Sequence, residues 1–425
     1  MAIMTNRRQL RTKSTIILFQ ILSLFLATAL FYGCGPKSGD NGPQPPAAAG
    51  DLVSFGEIIT LQAAQLNQQF ALLGLTGVTA SGTVTCYKLV YGTLNVSNAV
   101  IAASGLVCLP SAKSGGNPVI SYQHGTIFQD SEAPSSFITS SEAVVGVVLA
   151  GIGYIAVLPD YIGYGDSTGE LHPYVHAATL ASATVNINRA TRKFLDDPGI
   201  KRTTNGQFFL TGYSEGGYAT LATQRLMQQS LSAEFPVTAS EPGAGPYDMT
   251  GTTLAILSSP TLSQPAFAGF FFKAYDSIYT PTQPLTHYFS LAYANIVDTH
   301  FDGSFSRAQV SDALGGPGVP TTTLYNQAFL TSYLGSGETA LKAHIAENDI
   351  YDWAPAVPTR LFHSVDDDTV PFANSTTAKT KMEANGSIKV TLATCVSGTL
   401  PATHINCARP FALDMIAFFK TLLKP

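Results

Sequence analysis

Gly212-Tyr213-Ser214-Glu215-Gly216 decides how this chain is read. The pentapeptide has the G-x-S-x-G form of a nucleophile elbow, in which a serine sits on a sharp turn between a strand and a helix. Its flanks agree with that form. Gln207-Phe208-Phe209-Leu210-Thr211 is short and apolar like a buried strand, and Gly217 to Leu226 carries an apolar face at helical spacing. The two glycines let the backbone turn sharply and let helix and strand approach closely, so the serine oxygen stands above a sheet. A chain with 37 glycines can produce such a pentapeptide by chance, so the weight rests on the strand-turn-helix context and on partners elsewhere.

Upstream of the elbow, strand-like and helix-like runs alternate. A helix is predicted from Phe55 to Leu73. Two strand-like runs follow, Thr83 to Tyr91 and Ala99 to Cys108, and then Pro118 to Gln123, a strand leading into the turn His124-Gly125-Thr126. A helix over Glu142 to Leu149 connects to the buried strand Gly153 to Leu158, and Pro159-Asp160-Tyr161-Ile162-Gly163-Tyr164-Gly165 follows it. Ala177 to Leu195 reads as a helix stopped by Asp197-Pro198-Gly199. This alternation implies a mostly parallel central sheet with helices on both faces.

Downstream, Phe235 to Ser240 is another strand, and there the rhythm breaks. Residues 241–355 are rich in Pro, Gly, Phe and Tyr and read as a cap (lid) inserted over the sheet's upper edge. Most single aromatics there pack the cap's own small core, and some face an apolar substrate. The sheet resumes with Thr359 to His363 and Ser387 to Leu392, and a last helix runs from about Arg409 to Leu423. The core is thus expected in two parts, 53–240 and 356–425.

These pieces carry a family resemblance. Ser121-Tyr122-Gln123-His124-Gly125-Thr126, Leu158 to Gly165, the elbow, His363-Ser364-Val365-Asp366-Asp367-Asp368-Thr369-Val370-Pro371 and His404 resemble, in that order, an α/β-hydrolase of the secretory lipase type. The resemblance covers essentially everything from Thr83 onward. Ser364 departs from it, standing where such proteins usually have glycine.

Chemistry gives these residues their candidate roles. A serine hydroxyl is a weak nucleophile until a base removes its proton, and histidine is the usual base. Ser214, then an aspartate, then His404 is the order this fold uses. Read alone, Asp366, Asp367 and Asp368 all remain candidates for the acid; the resemblance implies Asp367. The acid would fix the imidazole tautomer and stabilise the imidazolium. The oxyanion donors are expected to be the backbone N–H groups of Glu215 and Thr126. His124, Gly125 and Tyr213 are expected on the substrate side, while Asp160 and its neighbours are structural or pocket-lining.

The chain ends supply the compartment. Arg7, Arg8, Arg11 and Lys13 precede an uncharged run from Ser14 to Gly33, the layout of a secretory signal over residues 1–33. Gly33-Cys34 resembles a lipobox, which makes Cys34 the expected lipidation site; Phe31 and Tyr32 are bulky for that pattern. A retained span is the alternative, about 20 uncharged residues being long enough. Residues 34–52, rich in Gly, Pro and Ala, read as a tether. The expected location is the bacterial cell envelope, as an anchored lipoprotein, or the secreted fraction. Cys86, Cys108, Cys395 and Cys407 allow two disulfides. A hairpin turning near Ser97 would set Cys86 opposite Cys108, so sequential pairing is expected.

Composition limits the function classes. With 45% hydrophobic and only 12% charged residues the chain buries a large core, and a net charge of -5 offers nucleic acid no basic footprint. No clustered Cys/His spacing suggests a metal, and no organic cofactor is expected. The reading is a lipid-anchored serine hydrolase of carboxylic esters, acyl esters or lipids, working through an acyl-enzyme. The same triad would also serve a peptidase or other acyl hydrolase, and a non-catalytic surface binding protein is the alternative from a different class.

Overall fold

The computed structural model describes residues 45–395 and 401–424 apart from 76, 81, 280 and 281. The signal segment, Cys34 and the tether up to residue 44 lie outside the described residues. Among the described residues eleven strands follow in chain order: β1 (Leu52–Leu61), β2 (Val84–Leu94), β3 (Val100–Pro110), β4 (Asn117–Gln123), β5 (Ile155–Pro159), β6 (Thr204–Tyr213), β7 (Ala239–Gly243), β8 (Thr261–Leu262), β9 (Val319–Pro320), β10 (Thr359–His363) and β11 (Val390–Thr394).

Nine of them form one sheet in the order β1-β2-β3-β5-β4-β6-β7-β10-β11. From β5 to β11 every neighbouring pair is parallel; β1, β2 and β3 add an antiparallel edge. The run Ile155-Ala156-Val157-Leu158 explains why such a strand reads as continuously apolar. Ile155 and Val157 pack toward the helix Ala177–Asp196, whereas Ala156 and Leu158 pack on the other face with the helix Ser141–Gly151. Alternate side chains meet opposite helical layers, and both layers need apolar partners.

The chain start differs from its reading. Residues 52–61 form a strand rather than the first half of a helix, and only Ala63–Leu72 is helical. Apolar residues at helical spacing misled the reading, but β1 gains a ladder with β2, interrupted by two register shifts, with Leu61 opposite Val84 and Phe55 opposite Leu89. Tertiary pairing overrides a weak local preference there. The last tether residues also pack: Gly50 N–H donates to Gly92 O at 2.8 Å, and a Cβ on Gly92 would strike Pro46 and Ala48.

Two later strands are shifted. Phe235 to Thr238 lie outside the strand, with Phe235 buried and Thr238 N–H bonded to Phe208 O, and β7 runs from Ala239 on through Glu241-Pro242-Gly243. The excursion out of the sheet therefore begins after Gly243. At the other shift, Gly386 has φ +95° and Ser387 Oγ donates to Pro355 O, leaving Ile388 at the surface and starting β11 at Val390. Between β7 and β10 the chain is mainly helical, with the helices Met249–Ser258 and Pro265–Ile278 nearest the elbow and β8 paired to β9. It docks through buried polar contacts: Tyr218 Oη donates to Asn348 O at 2.8 Å, and Ala177 N–H to Asn348 Oδ1 at 2.9 Å.

Both disulfides pair sequentially. Cys86 and Cys108 are register partners on β2 and β3, and Cys395 is joined to Cys407.

Candidate active site

β6 ends at Tyr213, and the helix Glu215–Ser230 starts after the single residue Ser214. Ser214 makes the turn alone, with φ 62° and ψ -125°, a conformation costly for a residue with a Cβ. The flanking glycines permit it. A Cβ on Gly212 or Gly216 would strike the carbonyl of Gln123 on β4, and one on Gly217 would strike that of Gly243. Strand, turn and helix are pressed together where side chains have no room.

Three loops at the carboxyl ends of strands meet at Ser214. The loop after β10 carries Asp367, and the segment after β11 carries His404. His404 Nε2 lies 2.8 Å from Ser214 Oγ, and His404 Nδ1 lies 2.7 Å from Asp367 Oδ2. Because a carboxylate only accepts, Nδ1 carries the ring proton and the Nε2 lone pair faces the hydroxyl. The other Asp367 oxygen accepts the backbone N–H groups of Thr369 at 2.9 Å and Val370 at 2.8 Å. Burial alone would raise this carboxyl, yet hydrogen bonds from His363 and His404 outweigh it and hold the group well below the usual carboxylate range.

His404 is fixed from several sides. Its backbone carbonyl accepts Tyr213 Oη at 2.8 Å, its ring packs 5.1 Å from the Tyr213 ring, and its backbone N–H donates to Asp368 Oδ1 at 3.1 Å. Ser364, the departure from the resemblance, uses its hydroxyl to bond Ala402 O just before His404 and to accept Asp366 N–H.

The other expected positions divide. Glu215 begins its helix, so its backbone N–H has no intrahelical acceptor. Its buried carboxylate lies 2.8 Å from His172 Nε2, while His172 Nδ1 lies 2.7 Å from Ile162 O. Nothing in the local sequence linked His172 to the elbow. Gly125 stands against the nucleophile, since a Cβ on it would sit 3.8 Å from that of Ser214. Thr126 Oγ1 donates to Tyr174 Oη at 3.2 Å. His124 and Tyr213 differ from their expected substrate-side place. His124 is fully buried, its ring nitrogens 2.7 Å from Gly125 O and 3.2 Å from Asp160 O; Tyr213 is turned under His404. Both support the loops. Asp160 is structural too, accepting Ser104 Oγ at 2.6 Å and Ser135 N–H at 2.8 Å.

Above Ser214 opens a cavity of about 200 Å³ that extends into the inserted segment. Ser214, Glu215 and Tyr174 line its floor, and Met249, Ile256, Phe267, Phe271, Phe272 and Tyr325 line its walls. Few charges touch it, which suits an apolar ligand.

The parallel sheet, the elbow on its central strand and the loops converging there define an α/β-hydrolase. The chain belongs to the secretory lipase family, which it matches over residues 129–417. It is similar to the rice cell wall degrading esterase LipA from Xanthomonas oryzae, with 26% identity, 87% of this chain and 98% of that one covered, and a TM-score of 0.78. Candida antarctica lipase A in its closed state shares the fold, at 17% identity and TM-score 0.65, over 90% of this chain and 85% of that one. A search of curated proteins found no match. The protein is a carboxylic-ester hydrolase, and its family and two disulfides mark it as exported.

Proposed function

We propose that this hydrolase cleaves acyl esters or lipids through an acyl-enzyme on Ser214, with His404 as base and Asp367 as acid, under a cap formed by the insertion. The observation that carries the reading is the unbroken contact chain from Ser214 Oγ through both His404 nitrogens to Asp367, opening on an apolar cavity. As Ser214 Oγ attacks the ester carbonyl carbon, its proton passes to His404 Nε2. The carbonyl oxygen becomes an oxyanion, held by the N–H groups of Glu215 and Thr126. Collapse expels the alcohol, which takes the proton from Nε2. Water then attacks the acyl-serine by the same route, releasing the acid and restoring the hydroxyl. The acyl chain lies along Phe267, Phe271 and Phe272. The esterase name of LipA adds plant cell wall esters to the substrates worth testing.

We infer further that the body is held to the bacterial envelope by lipid on Cys34, from the basic and apolar segments before Gly33-Cys34. A fluorophosphonate probe should label the wild type and leave Ser214→Ala unlabelled and inactive on nitrophenyl esters. More than a few per cent of activity in that variant would overturn the nucleophile. Palmitate labelling lost in Cys34→Ala supports the anchor; equal labelling of both forms, or of neither, overturns it.

A further inference from the structure

His363 ends β10, four residues before Asp367, and is fully buried. Its Nε2 lies 3.0 Å from Val370 O and 3.3 Å from Asp367 Oδ2, and its Nδ1 lies 2.8 Å from Ser375 Oγ on the helix Ala373–Ala384. A carbonyl and an ionised carboxylate can only accept, so Nε2 carries a proton and faces both of them, while Nδ1 is anchored by the Ser375 hydroxyl. The Nε2–H is thereby held between Val370 O and Asp367 Oδ2. We propose that His363 is a positioning residue for ester hydrolysis, acting through Asp367: its Nε2–H and that of His404 Nδ1 fix one carboxylate oxygen between two imidazoles.

Four N–H groups surround the carboxylate. Oδ2 takes the His404 bond and lies 3.3 Å from His363 Nε2, and Oδ1 takes the Thr369 and Val370 amides. No lysine or arginine pairs with Asp367 among the described residues. The charge of a side chain with no exposed surface thus depends on these N–H groups and on the two imidazoles, and His363 is the imidazole that takes no part in proton transfer. The other ionisable groups around the pair are Asp368, on the His404 amide, and Tyr213, beneath the His404 ring. Neither donates to Asp367. Losing His363 leaves the carboxylate buried with fewer donors, so it binds a proton more readily and turns less reliably toward His404.

This inference rests on the Ser214–His404–Asp367 reading, and its test separates the two. Purified His363→Gln, His363→Asn and His363→Phe are compared with wild type on a soluble nitrophenyl ester from pH 4 to pH 8. Glutamine can set an amide donor near the Nε2 position; asparagine reaches only Ser375. Asn and Phe should lower kcat about 10- to 100-fold with KM nearly unchanged, as expected for a lost donor to a buried charge, and Gln should recover most of it. In His363→Phe the acid limb of log kcat/KM should steepen from slope one toward two at the acid end of the range, as Asp367 begins to bind a proton there. Should the Phe variant fail to fold, the Gln–Asn difference decides. Equal losses in all three, or Asn and Phe variants with wild-type kcat and unit slope, overturn the role. Ser214→Ala and Asp367→Asn run beside them: if those are inactive while the His363 variants are normal, only this inference falls, whereas activity in those two overturns the triad reading and this inference with it.

Discussion

Asp368 Oδ1 accepts the backbone N–H of His404 at 3.1 Å. Adjacent carboxylates therefore hold the same histidine, Asp367 by its ring and Asp368 by its backbone, and only the first sets the tautomer. Asp367→Asn should cost about 10⁴ in kcat, the loss known where a triad histidine is left in the wrong tautomer. Asp368→Asn keeps an acceptor and should stay within about tenfold, less than roughly 1.4 kcal/mol of barrier. Asp366 is exposed, and its Asn variant should match wild type. Steady-state kinetics on the three single variants checks this; a large loss at 366 or 368 with an active 367 variant would sink the assignment.

The Cys395–Cys407 bridge closes the segment that carries His404, whereas Cys86–Cys108 joins strands far from it in the chain. Replacing either pair by serine should lower stability, native disulfides being worth typically about 2–5 kcal/mol. Only the 395/407 change should also lower kcat well below the temperature at which the variant melts. Thermal melts and initial rates at 15 °C on both double variants separate the effects. Equal kcat in the two would mean that Tyr213 and Asp368 hold His404 without the bridge.

Much of this arrangement is legible in the sequence, for physical reasons. Elbow, acid loop and histidine are local patterns, and each lies where a parallel strand ends, so chain order predicted their meeting. What was not legible depended on partners remote in sequence. Residues 52–61 look helical until β2 lies beside them. His172 faces Glu215 across 43 positions, with no spacing to announce it. His124 and Tyr213 were adjacent to the chemistry in sequence, which does not tell which way a side chain turns; both turn inward to brace the loops. His363 was quoted with the acid's motif, but as a strand-end residue whose ring position depends on β10 and on Ser375 twelve residues on.

Ala268 lines the cavity on the helix Pro265–Ile278, beside Phe267 and Phe271. If the acyl chain lies there, Ala268→Phe fills its path while leaving Ser214 untouched. The ratio of kcat/KM for nitrophenyl octanoate over acetate should fall at least about tenfold, several methylenes losing burial at about 0.8 kcal/mol each. Measuring both esters cancels any general damage. An unchanged ratio would move the acyl chain out of the insertion.

Glu241 sits on β7, and neither of its carboxylate oxygens has a hydrogen-bond partner. Burial first, then the neighbouring Asp414 carboxylate, push its pKa up to about 10 against the opposing pull of Arg360, which is itself paired with Asp414 at 2.6 and 2.8 Å. Such a group is neutral in the folded protein at neutral pH and ionised in the unfolded chain. Between about pH 4.3 and the raised value the folded state holds the extra proton, so unfolding releases it and stability falls as pH rises, by at most about 1.4 kcal/mol per unit. Below pH 4 the penalty vanishes. Glu241→Gln keeps the shape and removes the linkage, so its advantage over wild type should grow with pH. Urea titrations at pH 5, 6.5 and 8 should show the variant gaining on the order of 1–4 kcal/mol across that range, with kcat unchanged because Glu241 touches neither Ser214 nor His404. Two stability curves that stay parallel from pH 5 to pH 8 would mean that Glu241 ionises in the folded protein, and that the Arg360 charge outweighs its burial.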